Sequence, residues 1–175
     1  MKILVRDFRD EPLKLQVNAA PGELELADAD YTFNTPVTGE VEFHPLADSS
    51  KVYASGHLET TAEAECVRCL GHVTIPIRAT VRALYENNEE LLKPEHGLLG
   101  KEDESISYFD GEQIDPAPQF REALLLELPS LPHCSEDCRG LCPKCGVNRN
   151  TTPCDCPTSE AKIDAWKDAL RKIKL

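Results

Sequence analysis

No apolar run in this 175-residue chain approaches the roughly 20 residues needed to cross a membrane as a helix. The opening stretch, Met1-Lys2-Ile3-Leu4-Val5-Arg6-Asp7, has neither a long apolar core nor a small-residue cleavage pattern. A secretory signal is therefore not expected, and the expected location is cytoplasmic. There is no Gly-rich phosphate loop, no G-x-S-x-G and no dinucleotide fingerprint, so the common signatures of phosphoryl, acyl and hydride transfer are missing. The five histidines, His44, His57, His72, His96 and His133, show no H-x3-H spacing, and no H-x-E precedes a cysteine pair as it does in zinc deaminases. His133 stands beside Cys134 but reads as a surface histidine rather than a ligand. Carboxylates lie mostly in polar runs such as 87–90 and 101–104, where solvated charge is the ordinary reading. The chain is expected not to be an enzyme and to have no small-molecule substrate. No internal repeat is visible.

Positive charge is also scarce. Nineteen Lys and Arg face 31 Asp and Glu, a formal net charge of −12, which repels bare nucleic acid at long range. The imbalance is uneven: residues 134–175 hold eight Lys or Arg against six Asp or Glu, and the rest of the chain is strongly acidic. Such a surface favours solubility, and it suits a basic partner protein better than naked RNA.

What the chain does have is eight cysteines in short-spaced groups. Cys66 and Cys69 form one C-x-x-C, and the others run Cys134-x3-Cys138-x3-Cys142-x2-Cys145-x8-Cys154-x-Cys156. Two residues between thiols let the backbone turn both sulfurs onto one tetrahedral ion. In a reducing compartment, grouped cysteines read as metal ligands before they read as disulfides. A redox role is disfavoured, because Cys66-Val67-Arg68-Cys69 lies in strand-like sequence rather than at a helix N-terminus, where a thiol is activated. Eight thiols make two four-cysteine sites with none left over, which points to two structural Zn2+ ions. All-thiolate sites leave no open position for water, so they hold structure and do not catalyse.

Two partitions are open. Cys142-Pro143-Lys144-Cys145-Gly146 is a knuckle in which Pro restricts the turn and Gly permits the positive φ that often follows the second ligand. Asn148 and Asn150 add turn-forming side chains, and an eight-residue loop returns to Cys154 and Cys156. That closes one compact site and leaves Cys66, Cys69, Cys134 and Cys138 as a long-range staple. Cys134 and Cys138, spaced i, i+4, suit one helical turn or a tight loop. The competing arrangement joins Cys134, Cys138, Cys142 and Cys145 and leaves Cys66, Cys69, Cys154 and Cys156; a single metal with free thiols is the remaining possibility.

The first 85 residues read as β. Strands are expected at 2–6, at 13–17 with Leu13, Leu15 and Val17 on one face, and around Leu24 and Leu26 after the Pro21-Gly22 turn. Further strands are expected at 37–43, 52–65 and 72–85, the last two forming a hairpin tipped by Cys66 and Cys69. Residues 87–104 are acidic and aperiodic and read as a mobile loop. A short strand at 105–109 is followed by Asp115-Pro116, a helix start with Asp as N-cap and Pro at the first helical position. Phe120, Ala123, Leu124 and Leu128 then mark a helix at 116–127 that packs on the sheet. A last helix from Thr158 or Ser159 to about Lys174 carries Ile163, Trp166, Leu170 and Ile173 in one stripe, with cations toward its C-terminal end. The expected fold is α+β. Residues 1–132 form an antiparallel sheet body with a covering helix, and residues 133–175 a zinc-stapled module ending in a helix.

Several segments together resemble the YceD family, bacterial and plastid proteins described as large ribosomal RNA subunit accumulation proteins. They are Cys66-Val67-Arg68-Cys69-Leu70, Ile114-Asp115 before a helix, the Leu128-Pro129 helix exit, and the run from Cys138-Arg139-Gly140-Leu141-Cys142 through Pro143-Lys144-Cys145-Gly146-Val147-Asn148-Arg149-Asn150. The resemblance covers most of the chain and is weak over the first 40 residues. It implies a role in accumulation or processing of large-subunit ribosomal RNA and in ribosome assembly, with no enzymatic reaction. The family's cysteine motifs fall here on all eight cysteines, and the lack of a transit-peptide-like extension implies the bacterial form. The implied partner is large-subunit ribosomal RNA or a ribosomal protein. Arg68, Arg139, Lys144 and Arg149 are the expected contacts, since each lies in a cysteine motif that fixes its backbone. The competing class is a zinc-stabilised protein–protein adaptor that touches no RNA.

Overall fold

The computed structural model describes residues 1–8, 11–46, 50–89 and 106–156. The expected C-terminal helix and most of the expected acidic loop lie outside the described residues. The strands are β1 (Ile3–Leu4), β2 (Leu13–Ala19), β3 (Thr32–Phe33), β4 (Val37–Pro45), β5 (Lys51–Glu65), β6 (His72–Asn87), β7 (Ile106–Phe109) and β8 (Gln113–Ile114), followed by helix α1 (Ala117–Leu126). The α+β class expected from the sequence is what the structure shows. Among the described residues no helix is long and apolar enough to cross a membrane.

The main sheet runs β2-β4-β5-β6-β7, with β3 added to the far half of β5. Alternation in the sequence becomes a two-faced sheet. Val37, Val41 and Phe43 of β4, Val52, Ala54 and Leu58 of β5, and Ile77, Ala79, Val81 and Tyr85 of β6 are buried on one side. The other side carries exposed ion pairs, Lys14–Glu42 at 2.6 Å and Arg78–Glu59 at 3.3 Å, whose attraction is screened by solvent. Burial of the apolar face, not the charge ladder, therefore holds the sheet together. Helix α1 closes that face with Phe120 and Leu124, both fully buried, which stabilises by about 1.5–3 kcal/mol per side chain. The buried Tyr85 hydroxyl donates to Gln119 Oε1 at 3.1 Å, and Gln119 Nε2 donates to Ser107 Oγ at 2.6 Å, so the helix is also tied to β6 and β7 through polar groups.

Four details differ from the sequence expectation. β7 pairs with β6 in parallel, so the sheet is mixed rather than antiparallel. A tight turn cannot make that connection, and the long stretch between Asn87 and Ile106 gives the chain the length to return in the same direction. Pro21–Leu24 is a 3-10 turn, not a strand: Glu23 accepts the Ala20 N–H at 3.1 Å and Glu25, at φ 51°, ends the turn. Leu24 is buried all the same, because the turn aims it inward. The strand expected at 2–6 is confined to Ile3–Leu4, which pairs with β8 outside the main sheet, and Val5–Phe8 turns as a 3-10 helix. Finally, α1 begins one residue later than expected, with Asp115 Oδ1 accepting the Ala117 N–H at 3.1 Å.

The β5–β6 hairpin positions the cysteine site. Its register is unbroken from Lys51 opposite Glu86 to Glu65 opposite His72. β4 accompanies β5 only as far as Glu59, after which β3 takes its place at Ala62 and Glu63. The hydroxyls of Thr35, Thr60 and Thr61 stitch the changeover, with Thr35 Oγ1 accepting the Thr61 N–H at 2.9 Å. The hairpin therefore extends beyond β4 as a supported arm.

Two glycines permit the close β4–β5 pairing at the root of that arm. A Cβ on Gly56 would sit 2.2 Å from the Glu40 carbonyl oxygen and 2.6 Å from Val41 Cα, and one on Gly39 would sit 2.1 Å from the His57 carbonyl oxygen. Neither neighbour can yield, since both are backbone in a paired strand. Gly56→Ala is expected to destabilise the protein by about 3 kcal/mol, the upper end of overpacking costs. The neighbouring Ser55→Ala should stay within about 0.5 kcal/mol. Urea denaturation checks this, and a Gly56→Ala midpoint equal to the parent's would refute the close-approach argument.

Candidate metal centres

The hairpin tip and the segment 142–147 share the C-x-x-C spacing with a basic residue before the second cysteine, and they adopt the same turn. In the first, Leu70 donates to the Cys66 carbonyl at 2.9 Å and Cys66 donates to the Gly71 carbonyl at 2.8 Å. In the second, Gly146 donates to the Cys142 carbonyl at 2.9 Å and Cys142 donates to the Val147 carbonyl at 2.8 Å. The residue after the second cysteine is left-handed in both, φ 57° at Leu70 and φ 72° at Gly146. Gly146 announces this in the sequence; Leu70 does not. A leucine there costs about 1 kcal/mol or more relative to its relaxed conformation, and its side chain is 59% exposed, so apolar burial does not offset the strain.

The chain leaving α1 is laid against the first turn by Val67, which donates to the Pro132 carbonyl at 3.0 Å. Cys134 and Cys138 follow on a tight turn closed by the Cys138 N–H on the Ser135 carbonyl at 3.2 Å. Arg68 reaches across with its guanidinium, donating to the carbonyls of Glu136 at 3.3 Å and Cys138 at 3.2 Å. Next, Gly140 (φ 68°) packs on Arg68 so closely that a Cβ would lie 2.9 Å from the Arg68 carbonyl oxygen. Leu141 then donates to that oxygen at 2.9 Å.

The eight sulfurs consequently gather into two groups, Cys66/Cys69/Cys134/Cys138 and Cys142/Cys145/Cys154/Cys156, each with its ligand atoms within 4.8 Å of one another. This is the grouping that places a self-contained loop beside a long-range staple; the competing division into 134/138/142/145 and 66/69/154/156 is not the one adopted. None of the eight cysteines is in a disulfide. The recorded sulfur separations are 3.8 Å for Cys66–Cys138, 3.7 Å for Cys69–Cys134, 3.6 Å for Cys145–Cys154 and 3.3 Å for Cys142–Cys154. A tetrahedron of sulfurs about 2.3 Å from a central ion has edges of about 3.8 Å, so the donor sets fit one tetrahedral ion each. His133 joins neither group.

Electrostatics make the same point. Burial works against ionisation of Cys66, yet the amides of Cys134, Arg68 and Cys69 outweigh it and bring the thiol down to about 6. The amides of Cys145 and Lys144 bring Cys142 to about 6. Cys138 is also lowered, chiefly by the Asn150 carboxamide. Cys134, crowded by the sulfurs of Cys138 and Cys69, is pushed up to about 12, and Cys156 reaches about 12 against Cys154 and Cys145. Each group thus holds thiolates that favour a cation and thiols that only a cation would deprotonate. The first group is mostly buried and the second is more open.

The four basic residues expected at a binding surface are not equivalent. Arg68 is committed to the two carbonyls. All four are exposed, and it is the bonding to those carbonyls that sets Arg68 apart from Arg139, Lys144 and Arg149. Arg139 and Arg149 lie on adjacent segments: Arg149 donates to the Gly140 carbonyl at 3.0 Å, and Arg139 donates through its N–H to Asn150 Oδ1 at 2.8 Å.

Binding of structural zinc in small peptides has an apparent worth of about 10–16 kcal/mol, far beyond what the few apolar residues of 133–156 supply. Chelation is expected to strip amide protection from 134–156 and 66–71 while the β4–β5–β6 ladder keeps it. Hydrogen exchange checks this, and undiminished protection of 134–156 in a metal-free sample would sink it. The turns give a second test. Gly146→Ala should cost about 1 kcal/mol, from φ alone, because its Cβ would meet nothing within 4 Å. Gly140→Ala should cost more, since it combines the same strain with the approach to Arg68. Equal melting temperatures for the two variants would contradict that account.

A family model described as Large ribosomal RNA subunit accumulation protein YceD matches residues 54–174. An uncharacterized protein of Mycobacterium leprae is 28% identical over 118 residues, covering 67% of this chain and 51% of the relative. One from Mycobacterium tuberculosis is 30% identical over 105 residues, covering 60% of this chain and 48% of the relative. The Large ribosomal RNA subunit accumulation protein YCED homolog 1, chloroplastic, of Arabidopsis thaliana is 28% identical over 153 residues, covering 75% of this chain and 47% of the relative. The chain spans about half the length of the curated relatives it matches. No solved structure matches it. The matched region begins within β5 and takes in all eight cysteines, and the chain belongs to the YceD family.

Proposed function

We propose that this chain is a non-enzymatic factor supporting the accumulation of large-subunit ribosomal RNA, its C-terminal module held by two structural zinc ions. The observation that carries the reading is the pair of four-sulfur groups within a chain of this family. Four thiolates fill a tetrahedral ion's coordination, so such centres hold backbone rather than activate water. Zinc suits an all-thiolate tetrahedral set. Function then falls to the surface those centres hold in place, where Arg139, Lys144 and Arg149 are exposed. A cytoplasmic location goes with this reading.

A second reading is favoured by the formal charge of −12. An acidic body suits a basic ribosomal protein, which makes the chain an adaptor or chaperone with no RNA contact of its own.

Reversing Arg139, Lys144 and Arg149 to Glu separates the two. If RNA is bound through them, affinity for large-subunit ribosomal RNA fragments should fall at least about tenfold. The slope of log K against log salt should also drop by about 2, since each phosphate contact contributes roughly 0.7–0.9. A pull-down whose protein partner survives ribonuclease and is indifferent to the reversal supports the adaptor instead. Cobalt substitution should report two tetrahedral four-thiolate centres per chain; an open coordination position would revive an enzymatic reading.

A further inference from the structure

The two cysteine groups are separate in ligands but not in structure. Asn150 belongs to the loop between Cys145 and Cys154, yet its carboxamide nitrogen lies 3.2 Å from Cys138 Sγ, in the other group. Its orientation follows from chemistry. The backbone N–H of Arg139 can only donate, so the Asn150 oxygen must face it, at 2.8 Å, and the amino group is left for the sulfur. The loop that presents Asn150 is itself folded tightly. Asn150 donates through its N–H to Asn148 Oδ1 at 2.9 Å, and Thr152 donates to the Asn148 carbonyl at 3.0 Å. Leu141 and Asn148 form an isolated bridge beneath it. The loop also bonds back to the preceding segment through Arg149 N–H on the Gly140 carbonyl, and its two ends are brought together at Cys145 and Cys154, whose sulfurs approach to 3.6 Å.

We propose that Asn150 is a positioning residue that couples the two metal centres. A metal in the Cys142/Cys145/Cys154/Cys156 site pins the loop, and the pinned loop delivers a hydrogen-bond donor to a thiolate of the Cys66/Cys69/Cys134/Cys138 site. The self-contained site therefore fills first, its ligands spanning a short stretch of chain, and its occupancy raises the affinity of the staple site. By linkage the staple site raises the affinity of the loop site by the same factor. Donors to ligating atoms ordinarily change metal affinity by about 10–100-fold, which sets the size of the effect.

This rests on both groups binding metal, and the test keeps the two claims apart. Zinc affinities of the full chain are measured by chelator competition, with a Cys66→Ser variant identifying which release step belongs to the staple site. If the parent protein binds no metal tightly, both claims fall. If it binds two, Asn150→Asp is compared with Asn150→Ala. The aspartate keeps an oxygen for the Arg139 N–H but cannot donate to sulfur, whereas the alanine loses both bonds. Both should weaken the staple site by about 10–100-fold. Cys145→Ser, which unpins the loop, should weaken the staple site to a similar degree. Combining it with Asn150→Ala should add little, because the two changes remove one interaction. The coupling is overturned if Asn150→Ala leaves the staple-site affinity within twofold, or if the effects of Asn150→Ala and Cys145→Ser multiply as independent sites would. A purely structural Asn150 would be revealed by Asn150→Asp matching the parent.

Discussion

Four sulfurs drawn from two distant segments, 66–69 and 134–138, meet in one mostly buried group, and most of the C-terminal part of the described chain depends on that meeting. Thiolates this close repel one another, and two opposing influences act on them. Backbone amides of the tight turns draw Cys66 and Cys142 toward ionisation, while the neighbouring sulfurs hold Cys134 and Cys156 protonated. A divalent cation relieves the conflict by binding all four sulfurs at once and offsetting half of their charge. Little else is available to order residues 133–156: their buried side chains are mainly cysteines, whereas the body has a continuous apolar core from Ile3 to Leu124. Stability of the module is in this sense electrostatic, and that of the body is hydrophobic.

The sheet acts as the arm that makes the long-range meeting possible. A hairpin reaching Glu65 and His72 would fray if its far half were unsupported, since a two-stranded ribbon is marginal in water. Here β3 and the Thr35–Thr60–Thr61 hydroxyls support it on one edge where β4 leaves off. At its root the side-chain-free contact of Gly39 and Gly56 lets β4 and β5 pair at close range. The tip is in turn held from outside, by Pro132 on Val67 and by Gly140 and Leu141 on Arg68. Body and module thus meet through backbone bonds from the two residues between Cys66 and Cys69 to residues flanking Cys134 and Cys138.

Much of this was legible in the sequence because its signals are local. The C-x-x-C turns, the two-residue alternation of β4, β5 and β6, and the Asp115-Pro116 helix start each act over a few residues. The division of the cysteines was legible because an eight-residue return closes one site without help from elsewhere. What escaped was set by tertiary context. Leu70 takes a left-handed φ that its side chain disfavours, because the turn demands it and Gly71 sits one position too late. The apolar spacing of Leu24 and Leu26 suggested a strand, but Pro21 and Glu23 close a 3-10 turn that buries Leu24 equally well. The parallel return of β7 depends on where a long connection goes, and no short motif records that. Asn150 reads locally as a turn residue, and its approach to Cys138 appears only once both groups are assembled.

Arg68 shows how the site and the surface divide their labour. In the sequence it is one of four cations held within cysteine motifs, equal to the others. In the structure one face of its guanidinium bridges the carbonyls of Glu136 and Cys138, which are the turn that presents two ligands of the staple site. Both bonds come from one nitrogen, Nη1, which serves the two carbonyls together. Among the described residues, the side chains of Arg139, Lys144 and Arg149 make no such bond, and all three are exposed. The cysteine turns decide where those three charges stand.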